Sequence, residues 1–344
     1  MVNLFLLRSS LIVLLLISLS GCRWTERAFP FNKKLNPRHL GIIINQSDPL
    51  SVKIGEYYQQ QRKIPSENLI YIKFKPNRIN ITPKEFQDLK AQVDAQTPAH
   101  IQGYALTWAN PYRVDCMSIT SAFAFGYDTT YCANGCFPTQ ESPYFNSSSS
   151  RPYEDFQVRP TMAIAATNFT EAKELIDRGV ASDNTYPKGT AYLMNTGDKA
   201  RNVRSQFYPN IILELSQRFP INIIQGDTLE NKPDVMFYFT GLKQVQKVES
   251  NVFLPGAIAD HLTSFGGQLT NSKQMSSLRW LEKGATGSYG TVVEPCNFPQ
   301  KFPHPGIAMK HYLNGDTLLE AYWKSVAMPG QGIFIGEPLA KPFN

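Results

Sequence analysis

Concentrated charge is missing from this 344-residue chain. Only 18% of its residues are charged, and the 34 basic and 28 acidic side chains are spread along its length. No lysine or arginine run and no basic helix stands out, which argues against a nucleic-acid partner. No apolar run reaches the roughly 20 residues that a membrane span needs. The locally readable catalytic signatures are absent too: there is no G-x-S-x-G elbow, no P-loop and no H-E-x-x-H. No internal repeat is visible. The five histidines are scattered, and only His261 and His304 lie near strand ends. Nothing in the pattern asks for a metal or a cofactor.

What is present is a 42% hydrophobic composition, enough for a sizeable core and too much for general disorder. The N-terminus carries the strongest local pattern. "MVNLFLLRSSLIVLLLISLSGC" places Arg8 ahead of about a dozen apolar residues and ends in Leu19-Ser20-Gly21-Cys22. Residues 1–21 are therefore expected to be a signal peptide, with a plain secretory signal and a chance cysteine as the simpler alternative. The ending resembles a bacterial lipoprotein box, which implies that Cys22 is diacylated and becomes the mature N-terminus. Two or more acyl chains anchor stably where one does not. Residues 22–37, with Pro30 and Pro37, then form a tether. Arg23, not Asp, follows the cysteine, which favours an outer-membrane destination facing the periplasm or the exterior. The membrane is thus the first expected partner.

Four further cysteines remain, Cys116, Cys132, Cys136 and Cys296. An even number in an oxidising compartment predicts two disulfides, with all three pairings open. Cys132 and Cys136 stand four apart in "YCANGCFPT" without a nearby histidine, so a metal site is the weaker reading.

From residue 38 onward, apolar runs alternate with segments of helical spacing. "HLGIII", "NLIYIKF", "IQGYALTW", "TMAIAATN", "GTAYLMNT", "INIIQG", "VMFYFTG", "ATGSYGTVV" and "QGIFIG" read as strands. "TPKEFQDLKAQVDAQ" reads as a helix with Thr82 as N-cap and Glu85 completing a capping box. The alternation predicts an α/β fold: a mostly parallel sheet with helices on both faces. We divide the chain into an α/β unit over 38–160, carrying a loop-rich insertion at 109–159, and a second unit over 161–344. The two are free to share one sheet.

Ligands of such sheets bind outside the carboxyl ends of the strands. The residues that follow the predicted strands are therefore the candidate site: Asn45, Arg113, Asp198, Arg201, Thr240, Glu294 and Cys296, with Asp260 and His261 in "GAIADHL". Polar turns after strands also arise simply as helix caps, and Ser47 and Asp48 fit that reading better. Arg113 and Arg201 have possible ion-pair partners in Asp115 and Asp198.

Two resemblances bear on function. "LGIIINQSDPLSVKIGEYYQQQRKIPSENLIYIKF", "YALTWANPYRV", "FLPGAIADHLTSFGG", "RWLEKGATGSYGTVVEPC" and "IFIGEPLAKPF" together resemble an uncharacterised secreted family of bacteria that carry exosortase sorting systems. That family implies no known activity. The C-terminal half more distantly resembles the gingipain-type cysteine peptidases, which implies a caspase-like three-layer sandwich. Their final Gly-Asp-Pro corresponds to Gly336-Glu337-Pro338 here. The chain departs from their catalytic pattern: the turn Thr240-Gly241-Leu242 has leucine where they carry histidine, and Ala259 and Asp260 stand where they carry cysteine. Two readings follow. The first is a catalytically silent, lipid-anchored protein that binds a peptide, a protein or a surface polysaccharide at the strand ends. The second is a hydrolase rearranged around Asp260, His261 and Cys296, in competition with a disulfide from Cys296 to the insertion.

Overall fold

A computed structural model describes residues 34–133 and 136–344, so the expected signal peptide and Cys22 lie outside the described residues. The chain enters with β1 (Leu40–Asn45), α1 (Pro49–Arg62), β2 (Leu69–Ile72), β3 (Asn80–Ile81), α2 (Pro83–Gln96) and β4 (Gly103–Leu106). The insertion contributes β5 (Arg113–Val114), β6 (Met117–Ser118), α3 (Ile119–Phe125) and α4 (Pro152–Phe156). Alternation resumes with β7 (Thr161–Ala163), α5 (Phe169–Ser182), β8 (Thr190–Asn195), α6 (Tyr208–Leu215) and β9 (Ile221–Gln225). Then come β10 (Val235–Thr240), β11 (Phe253–His261), α7 (Leu278–Glu282), β12 (Gly287–Thr291), α8 (Pro305–Leu313), α9 (Leu318–Ser325) and β13 (Gly332–Gly336).

The sequence pattern explains the strands. β1, β4 and β10 are continuous apolar runs, and every residue in them is buried, as in strands covered on both sides. Ten strands form one sheet in the order β2-β1-β4-β7-β13-β12-β11-β10-β8-β9. β2, β1, β4 and β7 run parallel to one another, as do β12, β11, β10, β8 and β9. β13 is antiparallel to β12, which the strand list did not anticipate. Strands from both stretches, 38–160 and 161–344, thus lie in this sheet. The mostly parallel α/β architecture is the one expected.

Helices cover both faces. α5 packs beside α1, and its Arg178 donates to the carbonyls of Leu281 and Ala285 at the end of α7. α6, α8 and α9 pack together on the other face. Local chemistry sets the helix starts: Asp48 caps α1, Asn168 caps α5, and Thr317 with Glu320 forms a complete capping box on α9. At α2 only half of the expected box forms. Thr82 accepts from the Glu85 amide, but the Glu85 carboxylate goes to Arg78 at 2.6 Å.

Two features lock the frame. Glu337, fully buried, accepts from the Tyr58 hydroxyl at 2.5 Å and pairs with Arg62, whose guanidinium also pairs with Asp183. This ties the chain end to α1 and to the end of α5. The second feature is the insertion. Cys116 joins Cys132 within it, and Cys136 joins Cys296 in the loop after β12. Two disulfides were expected, one of them from Cys296 into the insertion. Asn110 also bonds Thr270 at 3.1 Å, and the Tyr112 hydroxyl donates to Asn271 at 2.8 Å. The segments that leave β4 and β11 therefore meet at one edge of the sheet.

Candidate functional site

The carboxyl ends of β10 and β11 lie side by side, with Phe239 opposite Asp260 and Thr240 opposite His261. Consecutive residues of a strand point to opposite faces. Asp260 and His261 are both buried, yet each looks into a different helical layer. They do not form an acid–base pair.

His261 faces α7. Its Nδ1 accepts from the Trp280 indole N–H at 2.9 Å, and its Nε2 lies 3.0 Å from the Met275 carbonyl. A carbonyl only accepts, so Nε2 carries the proton and the ring is neutral. Burial lowers its pKa to about 4, opposed by the Met275 contact and reinforced by Arg204 and Arg201. Both ring nitrogens are occupied, and no solvent-facing nitrogen is left to take a proton from a nucleophile.

Asp260 faces the opposite layer and pairs with Arg204 at 2.6 Å. Burial pushes its carboxyl up, and the guanidinium partly counters this. Arg204 is itself buried; it donates to the Thr240 carbonyl at 2.7 Å and to the Pro303 carbonyl at 3.2 Å, with Phe239 under its guanidinium. This one side chain pins the segment after β8, the end of β10, the strand β11 and the loop before α8.

The rest of the rim is closed by the segment after β8. Asp198 pairs with Arg201 at 2.8 Å, so this expected ion pair forms. Arg201 Nε donates to Thr263 Oγ1, which donates on to Gln274 Oε1 at 2.7 Å. The Arg201 carbonyl lies so close to Gly241 that a Cβ there would meet it at 2.0 Å. Gly241 is therefore required by this close approach, and Leu242 beside it is buried. Gly267 is explained in the same way: a Cβ on it would reach the Gly290 carbonyl at 2.6 Å.

Other expected site residues serve elsewhere. Asn45 is fully buried and bonds the backbone of Ser47 and Phe74 in a turn. Arg113 lies in the small β3-β5-β6 sheet, and Asp115 bonds the Tyr127 hydroxyl. Glu294 accepts from the Cys296 amide at 2.7 Å. Cys296 has no free thiol because its sulfur is bonded to Cys136, so a set built on Asp260, His261 and Cys296 is not assembled. His304 caps α8 through its Nδ1. The sequence points to Arg204 only as one of the residues that follow the "YLMN" strand, and it does not point to Trp280 or Gln274 at all. Only their tertiary partners mark them out.

Beside this closed rim lies an open groove of about 590 Å³. Leu269, Met275 and Leu278 line it together with Gln244, Gln246 and Arg279. Among the described residues no cluster of His, Cys, Asp and Glu stands ready to hold a metal ion.

The sequence matches no protein-family model and no curated protein. In fold the chain is similar to the Arg-specific cysteine proteinase gingipain R, with a TM-score of 0.49 and 9% identity. The similarity covers 90% of this chain and 79% of that one. A complex of the Porphyromonas gingivalis RgpB pro- and mature domains gives a TM-score of 0.47, again at 9% identity, over 88% of this chain and 79% of that one.

Two predictions follow from this geometry. The fold holds His261 neutral, and an unfolded histidine protonates near pH 6.5, so stability is full above that value and is lost as pH falls toward 4. The loss is on the order of 3 kcal/mol. Ring ¹⁵N shifts should report a neutral Nε2-H tautomer down to about pH 5; a midpoint near 6.5 would contradict the locked ring. For the ion pair, Arg204→Met should cost about 3–5 kcal/mol in urea unfolding, because it strands a buried carboxylate. Adding Asp260→Leu should recover at least about half of that loss. If the double variant is as unstable as the single one, the buried charge is not the cause.

Proposed function

We propose that this protein binds rather than cleaves: a catalytically silent, peptidase-like fold that holds an extended peptide segment of another envelope protein at its carboxyl-edge groove. One observation carries the reading. At the ends of β10 and β11, where a peptidase of this type needs a base and a nucleophile, the chain has buried Leu242 and a His261 with both nitrogens occupied. The groove beside them supports a peptide ligand. Gln244 and Gln246 offer amide groups to a peptide backbone, and Leu269, Met275 and Leu278 offer apolar contact to its side chains. Its volume of about 590 Å³ lies in the range of ordinary ligand sites. The resemblance to an exosortase-associated family agrees with a ligand among sorted envelope proteins.

We also take the chain to be lipid-anchored through Cys22 in the outer membrane. Cys22→Ser should abolish metabolic labelling with a fatty acid and move the protein from the membrane fraction to the soluble fraction. Unchanged labelling removes the anchor from the proposal.

The binding reading is tested with the purified mature chain, casein and a displayed random-peptide library. The expected result is no casein cleavage, and selected peptides whose binding weakens at least about tenfold when Gln244 and Gln246 are both changed to Ala. Casein cleavage that disappears in His261→Ala but persists in Gln244→Ala would restore the hydrolase and defeat the binding role.

A further inference from the structure

A second site lies away from the rim, among α2, the end of α3, α4 and the residue pair before β7. Here Lys90, Asp94, Thr97, Phe125, Gln157 and Arg159 line a cavity of about 520 Å³. Arg159 is its centre. The residue is only 8% exposed, yet among the described residues only the Nε–H of its guanidinium is hydrogen-bonded. Nε donates to the Ile101 carbonyl at 3.1 Å, and the guanidinium carbon lies over the Tyr153 ring at 3.2 Å from its centroid, with the Tyr104 ring further off at 5.6 Å. Among the described residues neither Nη has a hydrogen-bond partner. The two Nη groups are not among the buried unpartnered atoms, so they are open to the solvent of the cavity. Arg159 is stacked, anchored by Nε and left with its outer fork on the cavity.

We propose that this cavity binds a hydroxylated carboxylate of the uronic-acid type, with the carboxylate on the Arg159 fork. The planar guanidinium matches a carboxylate through two parallel bonds. The walls decide between anions. A phosphate dianion would want a second free cation, but the Lys90 ammonium is already held by Asp94 at 2.6 Å. The Asp94 carboxylate would also repel a doubly charged group. Sugar hydroxyls are suited to the same wall, because they can donate to Asp94 and bond Thr97 and Gln157. The cavity is large enough for a monosaccharide and its neighbour. Its residues are separate from those of the carboxyl-edge groove, so this site stands or falls independently of the peptide-binding proposal.

The test is titration of the full mature chain with D-glucuronate, D-glucose and inorganic phosphate, followed by calorimetry or by amide shifts. Glucuronate should saturate at millimolar concentration or below, glucose should not, and phosphate should compete at least about tenfold less well. Arg159→Lys keeps the charge but removes the fork, and should weaken glucuronate at least about tenfold. If that buried variant does not fold, Gln157→Glu, at an exposed position, places a like charge at the mouth and should abolish binding. Equal binding of glucose and glucuronate, equal competition by phosphate, no saturation below about 10 mM, or unchanged affinity in either variant would each overturn the assignment.

Discussion

The Arg204–Asp260 pair is the contact on which the arrangement of the strand ends depends. Arg204 comes from the segment after β8, Asp260 from β11, and the same guanidinium holds the Thr240 and Pro303 carbonyls. The segment after β8 and the loop before α8 are joined through this buried group to the paired ends of β10 and β11. Once the segment after β8 is held there, the Arg201 carbonyl comes to rest on Gly241 and Arg201 reaches Thr263. A buried pair is not a large source of stability in itself, because removing both charges from water offsets their attraction. Its effect here is geometric. An arginine that must be satisfied by groups from three segments admits few other arrangements of them.

That geometry bears directly on chemistry. A base and a nucleophile on neighbouring parallel strands must both project past the strand ends into the same crevice. In this chain the two polar residues nearest that position, Asp260 and His261, are the last two residues of β11 and lie inside the sheet. The two-residue period of a strand sends one into each helical layer. Each is then completed by its own layer, Asp260 by Arg204 and His261 by Trp280 and the Met275 carbonyl. What projects beyond the ends is Leu242, which is buried, and Thr263, which is engaged by Arg201 and Gln274. The polar groups at the strand ends are largely consumed in holding the crevice shut.

Much of the architecture was legible in the sequence, because parallel strands buried on both faces must be continuous apolar runs and helices must announce their caps. The runs at β1, β4 and β10 and the caps at Asp48 and Thr82 belong to this class. The antiparallel β13 was not legible, since an apolar run carries no direction. The site was less legible, because whether a polar residue after a strand faces solvent or a buried partner is decided by distant segments. Asn45 became a turn residue, and Cys296 half of a disulfide to Cys136. One constraint was available from sequence: adjacent residues on one strand cannot share a pocket, so Asp260 and His261 already argued against a dyad.

Arginine shows why burial alone does not mark a site. Arg204 and Arg159 are both nearly inaccessible. At Arg204 the two Nη groups are spent on a carboxylate and two carbonyls, and Nε is buried without a partner, so no donor of the residue is open to an arriving ligand. At Arg159 the described residues satisfy Nε and supply an aromatic face, and leave both Nη groups open. Stacking holds a guanidinium in place without using its N–H groups, so the side chain is oriented while its donors stay free. An oriented, solvent-open fork gains more from an arriving carboxylate than a flexible surface arginine does, because the ordering cost has been met in folding. The contrast lies in which donors remain open. No composition or spacing rule could distinguish the two residues before their partners were known.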